Sequence, residues 1–177
     1  KSALKTFQTT SMTDIFSFFR TGDEPLKISP FGTGNINHTF LVEGRRGRYM
    51  LQKINTGIFS DPELMMQNIE LITSHIEKKQ PGGRNLRVIK TKEGKPGYRD
   101  GNDYWRLYNY LENTRALDVI NRPEDAFAAA DGFGGFLRVL SDLDPWLIQP
   151  VLPDFHNVSY RIHQLDEAIK ENRVGRW

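Results

Sequence analysis

The stretch SPFGTGNINHTFLVEG, residues 29 to 44, decides how this chain is read. It sets Gly32, Gly34, Asn35 and Asn37 between two runs of strand-forming residues. Gly and Asn supply positive φ at low cost, so the segment is either a plain hairpin turn or a loop whose N–H groups face an anion. Its surroundings separate the two. LKISPFG before it and TFLVEG after it read as strands. RRGRYMLQKIN reads as a third, with Tyr49, Leu51 and Lys53 on one face and Met50, Gln52 and Ile54 on the other. A lysine sharing a face with Leu51 is costly to desolvate unless something negative meets it.

The next segment offers such a group. SDPE announces a helix: Asp61 caps it, Pro62 suits its first turn, and Glu63 favours the positive end of its dipole. Met65, Ile69, Ile72 and Ile76 form its apolar stripe, which ends at QPGGRN, and Glu70 lies beside that stripe. Upstream, SMTDIFSFFR reads as a short amphipathic helix whose Phe16, Phe18 and Phe19 belong to a core or, on a leading helix, pack a dimer contact. Downstream, LRVIKT and DYWRLYNYL read as two more strands around the Gly-rich hairpin region KEGKPGYRDGN.

From about residue 113 the pattern is helical. NRPEDAFAAADGFGGFLRVLSDL is a long helix with an Asn121 to Glu124 capping-box pattern. Gly132, Gly134 and Gly135 each weaken it by about 1 kcal/mol relative to alanine, which predicts a second backbone passing close by. SDLDP, with Asp142 and Asp144, reads as its exit rather than as a pair of metal carboxylates, and SYRIHQLDEAIKENR begins another helix. The order predicts an α+β chain: a sheet lobe over 1–112, then the start of a helical lobe over 113–177.

Composition limits the function. With 24 basic and 22 acidic residues the net charge is +2, too even for a nucleic-acid or membrane-surface protein. Arg45, Arg46 and Arg48 read as a solvated hairpin end rather than a binding patch. The absence of cysteine excludes disulfides, a thiolate nucleophile and Cys-ligated metal. No apolar run approaches the roughly 20 residues of a membrane helix, so a cytoplasmic location is expected.

A Gly-bearing loop between strands, a strand lysine, a helix glutamate and then YNYLEN leading out of the last strand together resemble the amino-terminal lobe of a kinase. GTGNINHTFLV, YMLQKINTGIFSDPELMMQNIELIT, GGRNLRVIKTKEGKPGYRD, YWRLYNYLEN and VLPDFHN resemble the N-acetylhexosamine 1-kinases of the aminoglycoside phosphotransferase and choline kinase group. Some relatives of this kind carry a mucin-desulfating label, yet no [Cys/Ser]-x-Pro-x-Arg segment for sulfatase chemistry occurs here.

The resemblance implies a protein-kinase-like amino-terminal lobe, an antiparallel sheet of about five strands with one helix, followed by the first helices of a truncated second lobe. It implies transfer of the γ-phosphoryl of ATP, with Mg²⁺, to the anomeric hydroxyl of a small-molecule sugar, N-acetylglucosamine or N-acetylgalactosamine. A different small hydroxyl acceptor, such as an amino alcohol or aminoglycoside, and a non-catalytic nucleotide-binding module are the alternatives. Gly32, Gly34, Asn35 and Asn37 would cover the phosphates and Lys53 would hold them. Glu70, or alternatively Glu63 or Asn68, would steady Lys53. Tyr108, Asn109, Tyr110 and Leu111 would meet the adenine. Asp154, His156 and Asn157 would either touch sugar hydroxyls or form a helix-entry turn.

None of the histidines opens a His-x-Asp segment followed by asparagine; FHNVS is the nearest and lacks the aspartate. The catalytic aspartate and the metal ligands of that family are therefore expected outside this chain, and the isolated fragment is expected to be inactive.

Overall fold

The computed structural model describes residues 10–114, 117 and 119–176. A short helix α1 (Met12–Ser17) leads into strands β1 (Pro25–Pro30), β2 (His38–Gly44) and β3 (Arg48–Ile54). Helix α2 (Pro62–Lys79) and strands β4 (Tyr98–Asp100) and β5 (Asp103–Asn109) follow, then helices α3 (Pro123–Leu140) and α4 (Val158–Glu171) with a 3-10 turn at Pro145–Leu147 between them. All pairings in the five-stranded sheet are antiparallel, in the order β1-β2-β3-β5-β4. The chain is thus mixed α and β, with the sheet first and only helices after it. No described helix is long and apolar enough to cross a membrane.

The two faces of the sheet carry two separate cores. α1 starts with a reciprocal cap: Asp14 N–H donates to Ser11 Oγ at 3.1 Å and Ser11 N–H to Asp14 Oδ2 at 3.3 Å. This short helix lays Ile15, Phe16 and, just past its end, Phe19 on Val42, Leu51, Trp105 and Leu107. Phe18 lies outside that core and stacks on Tyr98 at 4.1 Å. The opposite face is covered by α2, whose Met65 and Met66 pack on Ile54 and Tyr104. α2 begins as its sequence demands, with Asp61 Oδ1 accepting from Leu64 N–H at 2.8 Å and Pro62 in the first turn.

The predicted strand at LRVIKT does not form. Among the described residues that segment forms two isolated bridges, Val88↔Tyr108 to β5 and Thr91↔Phe19 to the residue just past α1. β5 has seven residues, and β4, which sequence reading assigned to a hairpin loop, takes the half around Tyr104 and Trp105. A tight turn at Gly101, φ +59°, makes that hairpin possible. Only the Leu107–Asn109 half is left for residues 87–89, through Ile89 N–H to Leu107 O and Asn109 N–H to Arg87 O.

Two features of α3 also depart from expectation. Its N-cap is Arg122, one residue past Asn121, so the Asn121 to Glu124 spacing is out of register for a box; no side chain caps it, and the Arg122 guanidinium bonds Asp125. Apart from α3's own backbone, nothing among the described residues lies within 4 Å of where a Cβ would stand on Gly132, Gly134 or Gly135. No second backbone among the described residues passes there; Gly132 and Gly135 line a gap of about 530 Å³ between α2 and α3, walled by Ile69, Ile72, Ile76 and Phe136. Beside it, Asp142 bonds Lys79 Nζ at 2.5 Å and His75 Nε2 at 3.1 Å, and the Lys79 contact holds its carboxyl below the usual aspartate range.

Because that space is open, Gly135→Ala is expected to stabilise the chain by about 0.5–1 kcal/mol, read as a higher midpoint in thermal unfolding. A lower midpoint would mean a close backbone contact at α3. A pH effect is expected at Asp23. Burial alone would raise its pKa, but N–H donors of Arg46, Glu24 and Arg45 and the Tyr49 hydroxyl pull it below the ordinary value. A depressed folded-state pKa contributes stability fully present above the unfolded value, about 3.9, and lost as pH falls through the folded one. Asp23→Asn should therefore lower the melting temperature at pH 7 and change it much less at pH 2.

Candidate functional site

Strand parity determines which predicted site residues can meet. On β3 the side chains of Tyr49, Leu51 and Lys53 go to the α1 face, as expected, while Met50, Gln52 and Ile54 go to the α2 face. Lys53 Nζ bonds Asp103 Oδ2 at 2.6 Å, lies 5.9 Å from the Trp105 ring centroid and is about one-third exposed. Glu70, on α2, bonds Lys90 Nζ instead. The alternatives are occupied too. Glu63 makes a forked pair with Arg99, at 2.6 to 2.9 Å. Asn68 is buried and holds the Gln149 backbone from both sides, Nδ2 to O at 2.7 Å and Oδ1 from N–H at 3.1 Å. The predicted lysine–helix carboxylate pair is thus replaced by Lys53–Asp103: the lysine and α2 are on opposite faces of the sheet.

The glycine loop spans residues 31–37 and is largely exposed. Gly32 has φ +79°, a conformation that excludes most side chains, whereas Gly34 has an ordinary φ and open space around it. Asn37 Oδ1 accepts from Asn55 N–H at 2.9 Å, tying the loop to the end of β3. Asn35 is exposed within the loop.

At the other end of β5, the connecting residues are partly committed. Asn109 Oδ1 accepts from Arg87 N–H at 2.6 Å and its Nδ2 donates to Asn85 O at 3.1 Å. The backbone N–H of Asn109 goes to Arg87 O and that of Tyr110 to Arg48 O. The Tyr108 side chain is buried on the α2 face. Leu111 N–H makes no hydrogen bond among the described residues, so it is the connecting amide open to a ligand.

Between loop and connection lies a surface that sequence reasoning missed. Register places Thr39, Gln52 and Arg106 side by side on three strands, all on the α2 face. They form a chain: Arg106 Nε donates to Gln52 Oε1 at 2.9 Å, and Gln52 Nε2 donates to Thr39 Oγ1 at 2.9 Å. The next row on the same face is Leu41, Met50 and Tyr108. Phe31, at the loop entrance, meets Tyr110 edge-on with centroids 6.1 Å apart, and Arg48 lies over the Tyr110 ring. Arg106 itself touches the Met65 and Met66 sulfurs at 3.9 Å and lies 5.0 Å from the Tyr108 ring centroid. Burial pulls its pKa below the ordinary arginine value. Burial also pushes the Tyr108 phenol up and Tyr104 up to about 12, so neither is an anion at pH 7. The sequence signal for this surface is the alternation in YWRLY, which puts an arginine between two tyrosines on one face of a central strand.

The remaining predicted residues lie outside this face. Asn157 caps α4, its Oδ1 accepting from Tyr160 N–H at 3.0 Å and its Nδ2 donating to Asp154 Oδ1 at 2.9 Å. His156 packs edge-on to Phe155 at 4.8 Å. That is the helix-entry turn. Asp144 accepts from Trp146 N–H at 3.0 Å and so starts the 3-10 turn. A cavity of about 620 Å³ opens beside α2 between Glu63, Gln67 and Glu70 and the 91–99 segment. Its carboxylates are already matched, Glu63 by Arg99, Glu70 by Lys90 and Glu93 by Lys95. Among the described residues no group of three or more His, Cys, Asp or Glu side chains is arranged to hold a metal ion. No protein-family model matches the chain.

A double-mutant cycle tests the pairing directly. Lys53→Met with Asp103→Asn should show coupling of up to about 1 kcal/mol, as expected for a half-exposed pair. Lys53→Met with Glu70→Gln should be additive within about 0.5 kcal/mol. Coupling of the second pair larger than the first would place Lys53 on the α2 face.

Proposed function

We propose that this chain is the nucleotide-binding part of an ATP-dependent phosphotransferase that phosphorylates the anomeric hydroxyl of an N-acetylhexosamine. The observation that carries the reading is the α2 face of the sheet. It sets a polar row (Thr39, Gln52, Arg106) on the side of the glycine loop and an apolar row (Leu41, Met50, Tyr108) on the side of the connecting segment. Half-buried Leu41 and Met50, backed by the buried Tyr108 ring, offer apolar and thioether surface that suits a purine, and hydrogen-bond donors one row away suit the phosphates attached to it. The resemblance described above supplies the acceptor, as it supplies Mg²⁺.

In phosphoryl transfer the protein acts by positioning and by electrostatic stabilisation, so the residues present here bind and orient ATP. The aspartate that orients the hydroxyl and the groups for Mg²⁺ are assigned to helical chain outside these 177 residues. Support comes from the helices after the sheet. α3 and α4 bury no described residue completely, and Phe127 on α3 is 74% and Val158 on α4 70% exposed. Faces so apolar call for further packing partners.

The expected outcome for the isolated chain is saturable binding of ATP in a calorimetric titration. A coupled assay with N-acetylglucosamine or N-acetylgalactosamine and Mg²⁺ should show no ADP release. Absence of ATP binding would remove the nucleotide reading, and metal-dependent turnover would remove the assignment of catalysis to a second lobe.

A further inference from the structure

We propose that Arg106, not Lys53, is the cation that receives the phosphates of the bound nucleotide. This rests on the nucleotide reading above and adds the residue that governs it. Lys53 is excluded by parity: it lies on the α1 face, neutralised by Asp103. Arg106 lies on the α2 face, in the row next to the glycine loop.

Arg45, Arg48, Arg87, Arg99, Arg122 and Arg173 each bond a carboxylate. Arg106 has no carboxylate partner among the described residues; its one oxygen acceptor is the neutral Gln52 amide. Arg20, Arg84 and Arg161 also bond only neutral oxygens, but they are exposed, whereas Arg106 is half-buried. A guanidinium keeps its proton at any physiological pH, and placing it in a half-buried position without a counter-charge is unfavourable. A phosphate oxygen satisfies it, because the planar fork offers two parallel N–H groups to an oxyanion. Gln52 fixes Nε, and two thioethers and the Tyr108 ring hold the guanidinium plane, so the side chain is preorganised. Thr39 Oγ and the Gln52 amide extend the polar row across the sheet toward the loop.

The test uses Gln52→Glu, an isosteric change that supplies the missing counter-charge within hydrogen-bond reach. Wild type, Gln52→Glu, Arg106→Lys and Lys53→Met are titrated with ATP, adenosine and inorganic pyrophosphate by calorimetry and melted without ligand. Gln52→Glu is expected to melt higher than wild type yet bind ATP and pyrophosphate at least about tenfold more weakly, with adenosine little changed. Arg106→Lys should lose part of the affinity because it keeps the charge without the fork, and Lys53→Met should stay within about twofold of wild type. ATP binding that is unchanged in Gln52→Glu, or lost in Lys53→Met, overturns this assignment and leaves the nucleotide reading standing. Pyrophosphate binding that depends on Gln52 and Arg106, with no added affinity for ATP, keeps the anion site and overturns the nucleotide reading. Binding of none of the three ligands by the wild type overturns both.

Discussion

Side chains along β3 alternate between two covered faces, and this alternation governs what every cation near the sheet can meet. Leu51 goes to the cluster built on α1, and Ile54 to the cluster built on α2. Both are almost wholly buried, and truncating such a residue typically costs about 2–5 kcal/mol. The register cannot slip by one residue without exposing both. Lys53 is therefore held on the α1 face and Gln52 on the α2 face as firmly as the core itself is held.

The same constraint runs through β5, paired to β3 residue by residue. Trp105 and Leu107 fill the α1 side, while Tyr104, Arg106 and Tyr108 fill the α2 side. A core strand with an arginine between two tyrosines on one face is not required by packing. It leaves a charge beside a helix whose contact residues are methionines. The functional proposal grows from that cost: a fold that keeps a half-buried, unmatched guanidinium next to an aromatic shelf is suited to an anion carried on a flat ring.

Much of this was readable from the residues. The cap at Asp61, the apolar stripe of α2, the two faces of β3 and the change to helices after the sheet all follow from local signals, and local signals decide such features. The strand expected at LRVIKT failed because edge pairing is competitive: the 98–103 hairpin is closer in sequence to β5 and claims half its edge. The Lys53–Glu70 pair failed for a different reason. Periodicity tells which residues share a face but not which helix comes to cover that face, and α2 covers the other one. The three glycines of α3 suggest a close contact, yet two of them, Gly132 and Gly135, border a gap beside helices whose apolar faces are still exposed.

Whether α2 covers the Ile54 face is the point on which the assignment of Arg106 over Lys53 turns. Methyl-resolved NOE spectroscopy on the chain labelled at Met, Ile and Leu measures it without any substitution. The account requires NOEs from the Met66 methyl to Ile54, with Leu51 instead seeing Ile15. Cross-peaks between Met66 and Leu51 would put α2 on the Lys53 face and contradict it.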